Sequence, residues 1–550
     1  MTVLLATSRH LPERRRYRHW CTADAATPGL DGGCRLPQLT ARLEDAFDAI
    51  ADVWWALSRQ LGEEPSAGLA HAPATAANSS DLGLMLAWSR LIDDLAQGTE
   101  TVLVVCDDPW LFRHLSARPG VEAGRPPPLW PARLGLAVRG TLARARVAWR
   151  VAVAAVALAG QRAAYPKDAP VLLVYAHPAS DAEGSDAYFG DLMKEMPKLV
   201  RLLHVDCPLA GTRALARGGR TFSLHAWGGV LAALGLVGAR WRPSRRDLCG
   251  EYGWLVRRAA ALEGGTGQPA MIRWQQMCQQ AWLDAARPGV VAWPWENHAW
   301  ERHFVRHARR IDARTIGYQH TTIGRREWNY AAASNHDGTA SLPDRILASG
   351  PASRTLLRER GFDEARITVA GALRVGRLGN LPFDPAGPVF VALPYDPDIA
   401  GAMVAAVRPL GAAGRRFLVK DHPMTPFEFA DGPGVERTTE PLDRQKGLAA
   451  VIYALTTVGL EAVIGGLPTV RFQAENKIPS DPVPESFAVP SATAQTLAGT
   501  LDALGLPPPI DPETVFAKPR PEIWRDALLG DAAIADQPRS SGMRASGGQG

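Results

Sequence analysis

The feature that most constrains this chain is a recurring pattern. Short apolar runs rich in Val and Leu pass into a polar or Pro-bearing loop and are followed by a helical stretch. The runs at 2–8, 101–106, 170–175, 199–205, 290–293, 315–318, 389–393, 416–420 and 468–472 do not alternate with polar residues, which marks strands buried on both faces. Helical stretches at 40–61, 269–286, 398–411 and 456–465 lie between them, and this alternation predicts βαβ units and parallel sheets. The predicted fold class is therefore α/β. The predicted layout is two Rossmann-like domains facing a cleft, plus an N-terminal α/β extension.

The expected boundaries are 1–165 for the extension, which includes a long helix, 166–380 for one Rossmann-like domain, 381–505 for the other, and 506–550 for a C-terminal helix and a disordered tail. A Pro-rich break at Pro126-Pro127-Pro128 precedes the long helix, and the Gly- and Pro-dotted stretch from Gly376 to Pro388 reads as a linker. The helix expected over 132–163 interleaves Arg139, Arg144, Arg146 and Arg150 with Leu136, Leu142, Val147, Trp149 and Val151. It reads first as a connecting helix packed on a domain, with a helix lying on an anionic membrane surface as the alternative.

Composition removes several classes. Of 550 residues, 46% are hydrophobic and 21% charged, as in ordinary folded domains. Lys+Arg number 61 against 56 Asp+Glu, so the net charge of +5 is too small to argue for nucleic acid as a partner. A local cluster, Arg9, Arg14, Arg15, Arg16 and Arg18, is the exception. The six cysteines form no C-x-x-C pair and fit a reducing compartment rather than a disulfide framework. The most apolar stretch, Val151 to Gly160, is ten residues without a charge, against the ~20 residues of a membrane span. A cytoplasmic location is expected, with peripheral contact on the cytoplasmic face of the inner membrane as the extension of the membrane-surface reading.

Three segments carry the candidate chemistry. Lys420-Asp421-His422-Pro423 directly follows a strand, at the end of an open sheet where ligands bind. Lys420 and His422 can hold a phosphate there, the first as a point charge and the second through a directional hydrogen bond, with Pro423 setting the turn. Thr456-Thr457 opens the next helix, where two hydroxyls and free N–H groups favour phosphate, and Glu461 lies one turn on, in reach of ribose hydroxyls. The third segment is Trp293-Pro-Trp295-Glu296-Asn297-His298-Ala-Trp300-Glu301, followed by Gly317-Tyr-Gln319-His320-Thr. Glu296 at a strand end can act as general base toward an acceptor hydroxyl, and His320 can do the same or bind donor phosphate. Trp295, Trp300 and Gln319 are candidates for acceptor contact, against a core role for the Trp residues. Asp396-Pro-Asp398 reads as a turn with a local Asp cap rather than a metal motif, and no metal or cofactor is expected.

The Lys-x-His-Pro strand end, the Thr-Thr helix with Glu461 and Ala462, and the Gly466-Leu-Pro468 stop together resemble the donor half of bacterial capsule and lipopolysaccharide glycosyltransferases of GT-B type. Glu296-Asn-x-x-Trp300-Glu301, Gly317-Tyr-Gln-His-Thr321 and Pro343-Asp-Arg-Ile-Leu-Ala-Ser-Gly350 resemble the bacterial surface carbohydrate biosynthesis family. The resemblance covers roughly 170–475 and implies a GT-B-like, metal-independent glycosyltransferase. In it 166–380 is the acceptor side, 381–505 binds the donor, and His422, Thr456 and Thr457 hold the nucleotide phosphates. It further implies a nucleotide-sugar donor as co-substrate, with a CMP-linked acidic sugar as first guess, and a surface glycan or lipid-linked glycan as acceptor. The rivals are transfer of a polyol phosphate from a CDP-glycerol-type donor, a non-catalytic scaffold of polysaccharide assembly, and a sugar-nucleotide epimerase.

Overall fold

A computed structural model of the chain describes residues 3–23, 29–30, 34–75, 80–374, 379–423, 425–478 and 481–530. Part of the expected linker, the tail from 531 and Met424 after the His-Pro turn lie outside the described residues.

Three sheets form, and every strand pairing within them is parallel. The N-terminal sheet contains β1 (Val3–Ala6), β2 (His19–Thr22), β3 (Val102–Val105) and β4 (Val121–Ala123), in the order β2-β3-β1-β4. The middle sheet contains β5 (Val171–Val174), β6 (Val200–Leu203), β7 (Thr221–Ser223), β8 (Val290–Pro294), β9 (Arg314–Gln319), β10 (Arg345–Ala348) and β11 (Ile367–Val369), in the order β11-β10-β9-β8-β5-β6-β7. The C-terminal sheet contains β12 (Val389–Ala392), β13 (Phe417–Lys420), β14 (Val435–Thr438), β15 (Ala450–Tyr453), β16 (Thr469–Phe472) and β17 (Ser491–Ala492), in the order β14-β13-β12-β15-β16-β17.

The two larger sheets are doubly wound, so the α/β, GT-B-like layout expected from the sequence is the one the chain adopts. Their strand order reverses between β5 and β8 in one and between β12 and β15 in the other. Ligands of such sheets bind outside the carboxyl ends of the strands at the reversal, because the loops there diverge and leave a crevice. The continuous apolar runs explain the burial: all residues of β5, β8, β12 and β15 are buried, with helices on both sheet faces.

Three departures from the expected elements have physical causes. The single helical stretch expected over 40–61 is two helices, Leu39–Asp48 and Ala51–Gly62. The break lets Phe47 stack on Trp328 at 4.2 Å while Trp54 meets the same ring at 5.9 Å. The long helix runs over Leu129–Leu158, with Pro131 in its first turn, where no N–H is needed. The C-terminal segment returns to the middle domain. Ala517 N–H donates to Ser349 O and Arg520 N–H to Ala370 O, both at 3.0 Å. Gly350 and Gly371 permit this approach, since a Cβ at either would fall within 2.2 Å of the Val515 or Lys518 carbonyl oxygen, and Gly371 also has φ +88°. The helix Pro521–Leu529 then buries Trp524 completely against Phe189 and Tyr318. Removing a ring so enclosed costs about 3–5 kcal/mol.

The N-terminal unit docks on both other units. Arg326 pairs with Glu44 and Asp48 at 2.9 Å, Arg258 with Asp108 at 2.6 Å, and Gln473 donates to Glu44 at 3.0 Å.

Candidate functional site

Glu296 follows β8, one of the two reversal strands of the middle sheet, and its backbone is held from every side. The buried Glu301 carboxylate accepts from Glu296 N–H at 2.9 Å, His298 N–H at 2.5 Å and the Trp293 indole N–H at 3.1 Å. Three side chains donate to successive carbonyls: Tyr330 to Trp295, Asn329 to Glu296 and Arg302 to Asn297. Asn297 has φ +57°, and its buried amide donates to Asn329 O and Asn335 Oδ1. Asn tolerates this conformation better than most residues. The outcome is a fixed loop with one carboxylate left facing out: the Glu296 side chain is 37% exposed and lies 3.3 Å from His298 Nδ1.

Electrostatics separate the two glutamates by task. Burial pushes the Glu296 carboxyl up to about 7, with the Arg374 guanidinium pulling part of the way back. Burial, and then the Glu296 charge, push Glu301 well above the usual carboxylate range. His298 is driven down to about 4, first by burial and then by Arg302, so it is neutral at physiological pH. Its Nε2 lies 3.2 Å from Thr75 Oγ1, so a residue of the N-terminal unit reaches the group that faces Glu296.

Glu301 touches no open space, so its role is to position. Glu301→Ala strands three buried donors and should cost on the order of 3–5 kcal/mol of stability. Denaturant unfolding should show that loss, while Glu301→Gln, which keeps one acceptor oxygen, should lose less.

The opposing wall comes from the C-terminal sheet. Lys420 ends β13 on the same sheet face as Leu418, the side covered by the helix Val458–Ile464. Asp421 is structural: it pairs with Arg437 and accepts from Phe427 N–H. His422 Nδ1 lies 3.2 Å from Thr425 Oγ1, and its ring meets Tyr395 edge-on at 6.2 Å. Burial, then Arg374, lower its pKa, so it acts as a neutral hydrogen-bonding ring rather than a cation. Pro423 is exposed on the turn. The Thr457 side chain makes no cap bond to the helix; Thr456 Oγ1 accepts weakly from Val458 N–H at 3.4 Å. Just before it, Leu455 holds φ +55°, a conformation rare and strained for a bulky residue. β8 and β15 thus each deliver their loop through a left-handed residue, Asn297 on one side and Leu455 on the other. Glu461 is half-buried and raised to about 7, first by burial, with Arg374 opposing.

Arg374 joins the two walls. It sits just after β11 on the way between the sheets, is exposed, and lies 5.5 Å over the Tyr188 ring. Its charge is felt by Glu296 and His320 on one side and by His422 and Glu461 on the other, and His177 at the end of β5 feels His422 directly. The carboxyl ends of the two sheets therefore face each other across a cleft with a guanidinium in it.

The other expected residues divide. His320 is buried, edge-on to Tyr188 at 5.1 Å, and lowered to about 3 by burial and then Arg374. Its Nδ1 has no partner among the described residues. Trp295 is fully enclosed, with Tyr330 and Phe362 each at 5.5 Å, and Gln319 is fully buried, donating to Thr321 O and accepting from Ser349. A side chain without exposed surface offers no face to an acceptor, so these two are core positions. The reason is local: Gly317 lacks the Cβ that would meet Trp295 within 3 Å, so the ring folds inward over β9. Trp300 is 8% exposed and lies against His204 and Tyr175. Asp396 caps the helix Pro397–Ala412 and, with Asp398, pairs with Lys477. No group of metal-ligating side chains is present among the described residues. Arg374, Tyr188, His177 and Tyr395 were not found from sequence. The nearest signal was the glycine-dotted segment beginning at Gly371, which was read as a linker only from Gly376 onward.

No protein-family model and no curated protein sequence matches the chain. Solved structures to which it is similar include the UDP-N-acetylglucosamine 2-epimerase from Rickettsia bellii, with 9% identity, 67% of this chain and 95% of that one covered, and a TM-score of 0.37. The calicheamicin glycosyltransferase CalG4 gives 13% identity, coverages of 67% and 96%, and a TM-score of 0.37. The lipopolysaccharide outer core galactosyltransferase WaaB gives 11%, 65% and 99%, and 0.29. Likeness at this level leaves the reading of the site to its own residues.

Proposed function

We propose that the chain is a metal-independent glycosyltransferase that moves a sugar from a nucleotide-activated donor to a surface polysaccharide or lipopolysaccharide acceptor. The observation that carries this reading is the pairing across one cleft of a proton-accepting carboxylate, Glu296, with a neutral His422, the Thr456–Thr457 hydroxyls and Arg374. Such a set divides a group transfer in two. Glu296, with a pKa near neutrality, takes the proton of the attacking acceptor hydroxyl. Arg374, Lys420 and His422 hold the phosphate and offset the charge that grows on it as the glycosidic bond breaks. Glu461 faces the same cleft and is placed to accept from ribose hydroxyls. His320 stays neutral beside Tyr188 on the Glu296 side of the cleft. A CMP-linked acidic sugar is the first donor to test.

The test is a thermal-shift panel of CMP, CDP, UDP, GDP and ADP on wild type and on His422→Ala. A nucleotide at 100 times its dissociation constant should stabilise the protein by about 2.7 kcal/mol. The expected result is stabilisation by one nucleotide class that His422→Ala abolishes. No shift with any nucleotide would remove the transferase reading in favour of a non-catalytic role.

A further inference from the structure

The helix Leu129–Leu158 carries five arginines and no carboxylate, and half of it is unpartnered. Arg144, Ala148, Val151, Ala155 and Leu158 face the protein and are buried. At 100° per residue, Leu134, Val138, Leu142, Trp149, Val153 and Val156 fall in one stripe roughly 100° wide on the opposite side. All six are exposed, Leu142 at 68% and Trp149 at 75%. One border of the stripe is basic: Arg139, Arg146 and Arg150 follow it along the helix. The other border continues the apolar surface. Arg144 Nε donates to Val237 O at 2.9 Å, which seats the short helix Val230–Leu234 alongside, where Leu231 and Leu234 are 84% and 68% exposed.

A second observation lies at the N-terminal half of the same helix. A cavity of about 630 Å³ opens there, walled by Trp130 and Trp241. Arg133, Arg240, Arg242 and Arg257 line it, and no carboxylate does. Trp130 is itself 69% exposed at the cavity's rim, beside the stripe.

We propose that this face docks on an anionic phospholipid bilayer. The helix lies in the interface plane with its Leu/Val/Trp stripe among the acyl chains, and the arginine-lined cavity receives a lipid phosphate. Three physical points select this occupant. Contiguous exposed apolar surface on this scale marks an interaction site. Arginines flanking an apolar stripe on a helix suit the boundary between negative headgroups and hydrocarbon. A second copy docking on the same face would set arginine against arginine, which is unfavourable. No helix among the described residues is long and apolar enough to cross a membrane, so the contact is peripheral.

The experiment is flotation of the full chain with vesicles of phosphatidylcholine alone and of phosphatidylcholine mixed with phosphatidylglycerol, at low and high salt. Wild type should float only with the anionic vesicles, and less at high salt. The exposed-site double variant Leu142→Glu/Trp149→Glu should lose flotation with an unchanged melting temperature. Arg240→Gln/Arg257→Gln should lower the partition coefficient by roughly 30-fold. Absence of wild-type flotation, or flotation that neither double variant changes, would overturn the proposal. A wild-type dimer in sedimentation that Leu142→Glu/Trp149→Glu turns into a monomer would overturn it too, assigning the face to self-association. None of these residues lines the cleft, so nucleotide-induced thermal shifts should be unaltered in every variant, and this outcome is independent of the transferase reading.

Discussion

Glu296→Gln should lower turnover by about 10²- to 10⁴-fold while leaving donor affinity in place. The amide keeps the shape of the side chain and the backbone bonds to Glu301, but it cannot take a proton. In the wild type kcat/KM should rise as pH passes through about 7, where Glu296 ionises. Stability moves the other way. Between about 4.5 and 7 the native Glu296 keeps a proton that the unfolded chain has released. The stability this carboxyl contributes is therefore complete below the lower value and is lost as pH rises through the upper one. Glu296→Gln removes the penalty of a partly desolvated negative charge. It should melt at a higher temperature than wild type in mildly alkaline buffer and equally with it in acid. Near-normal turnover, or a variant no more stable than wild type above neutrality, would count against Glu296 as the base.

Arg374→Gln should weaken nucleotide binding by about 10- to 150-fold, the worth of a charge-assisted hydrogen bond to phosphate. It should also shift the pH profile. Arg374 holds the carboxyls of Glu296 and Glu461 down and disfavours protonation of His320 and His422. Without it all four pKa values rise, so the alkaline activation of kcat/KM moves to higher pH. Arg374 is exposed, and its one described contact is with the Tyr188 ring, so the variant should fold normally. Calorimetric nucleotide titration and a pH–rate series separate the two effects. Unchanged affinity with an unchanged profile would show that the guanidinium does not serve the site.

Much of the architecture was legible because buried parallel strands leave a local record. Unalternating Val/Leu runs such as 170–175 and 389–393 need no knowledge of their partners to be recognised, and the loops after them are where an open sheet binds ligands. That logic located Glu296 and His422 as strand-end residues, and Thr456 was found as the start of a helix. It did not foresee β2, β4, β7, β10, β11, β14, β15 or β17, runs of two to four residues that carry little pattern of their own. It also split the molecule too simply, since the segment after 506 returns to close the middle sheet through Trp524, a contact between residues hundreds of positions apart.

Side-chain direction was the harder question. Trp295 and Glu296 are neighbours at one strand end, and both were candidates for the cleft. The Glu301 carboxylate, the Asn329–Asn335 network and the missing Cβ of Gly317 turn the Trp inward and leave the Glu out. Arg374 carries no motif, and its position matters only because both sheets bring their carboxyl ends to it. Sequence alone determined that this chain builds parallel α/β sheets, and which loops stand at their open ends, because burial on both faces writes itself into consecutive residues. Only the tertiary structure decided which side chains on those loops meet in the cleft and with what charge. Desolvation and the field of Arg374 depend on groups from distant segments that no local pattern records.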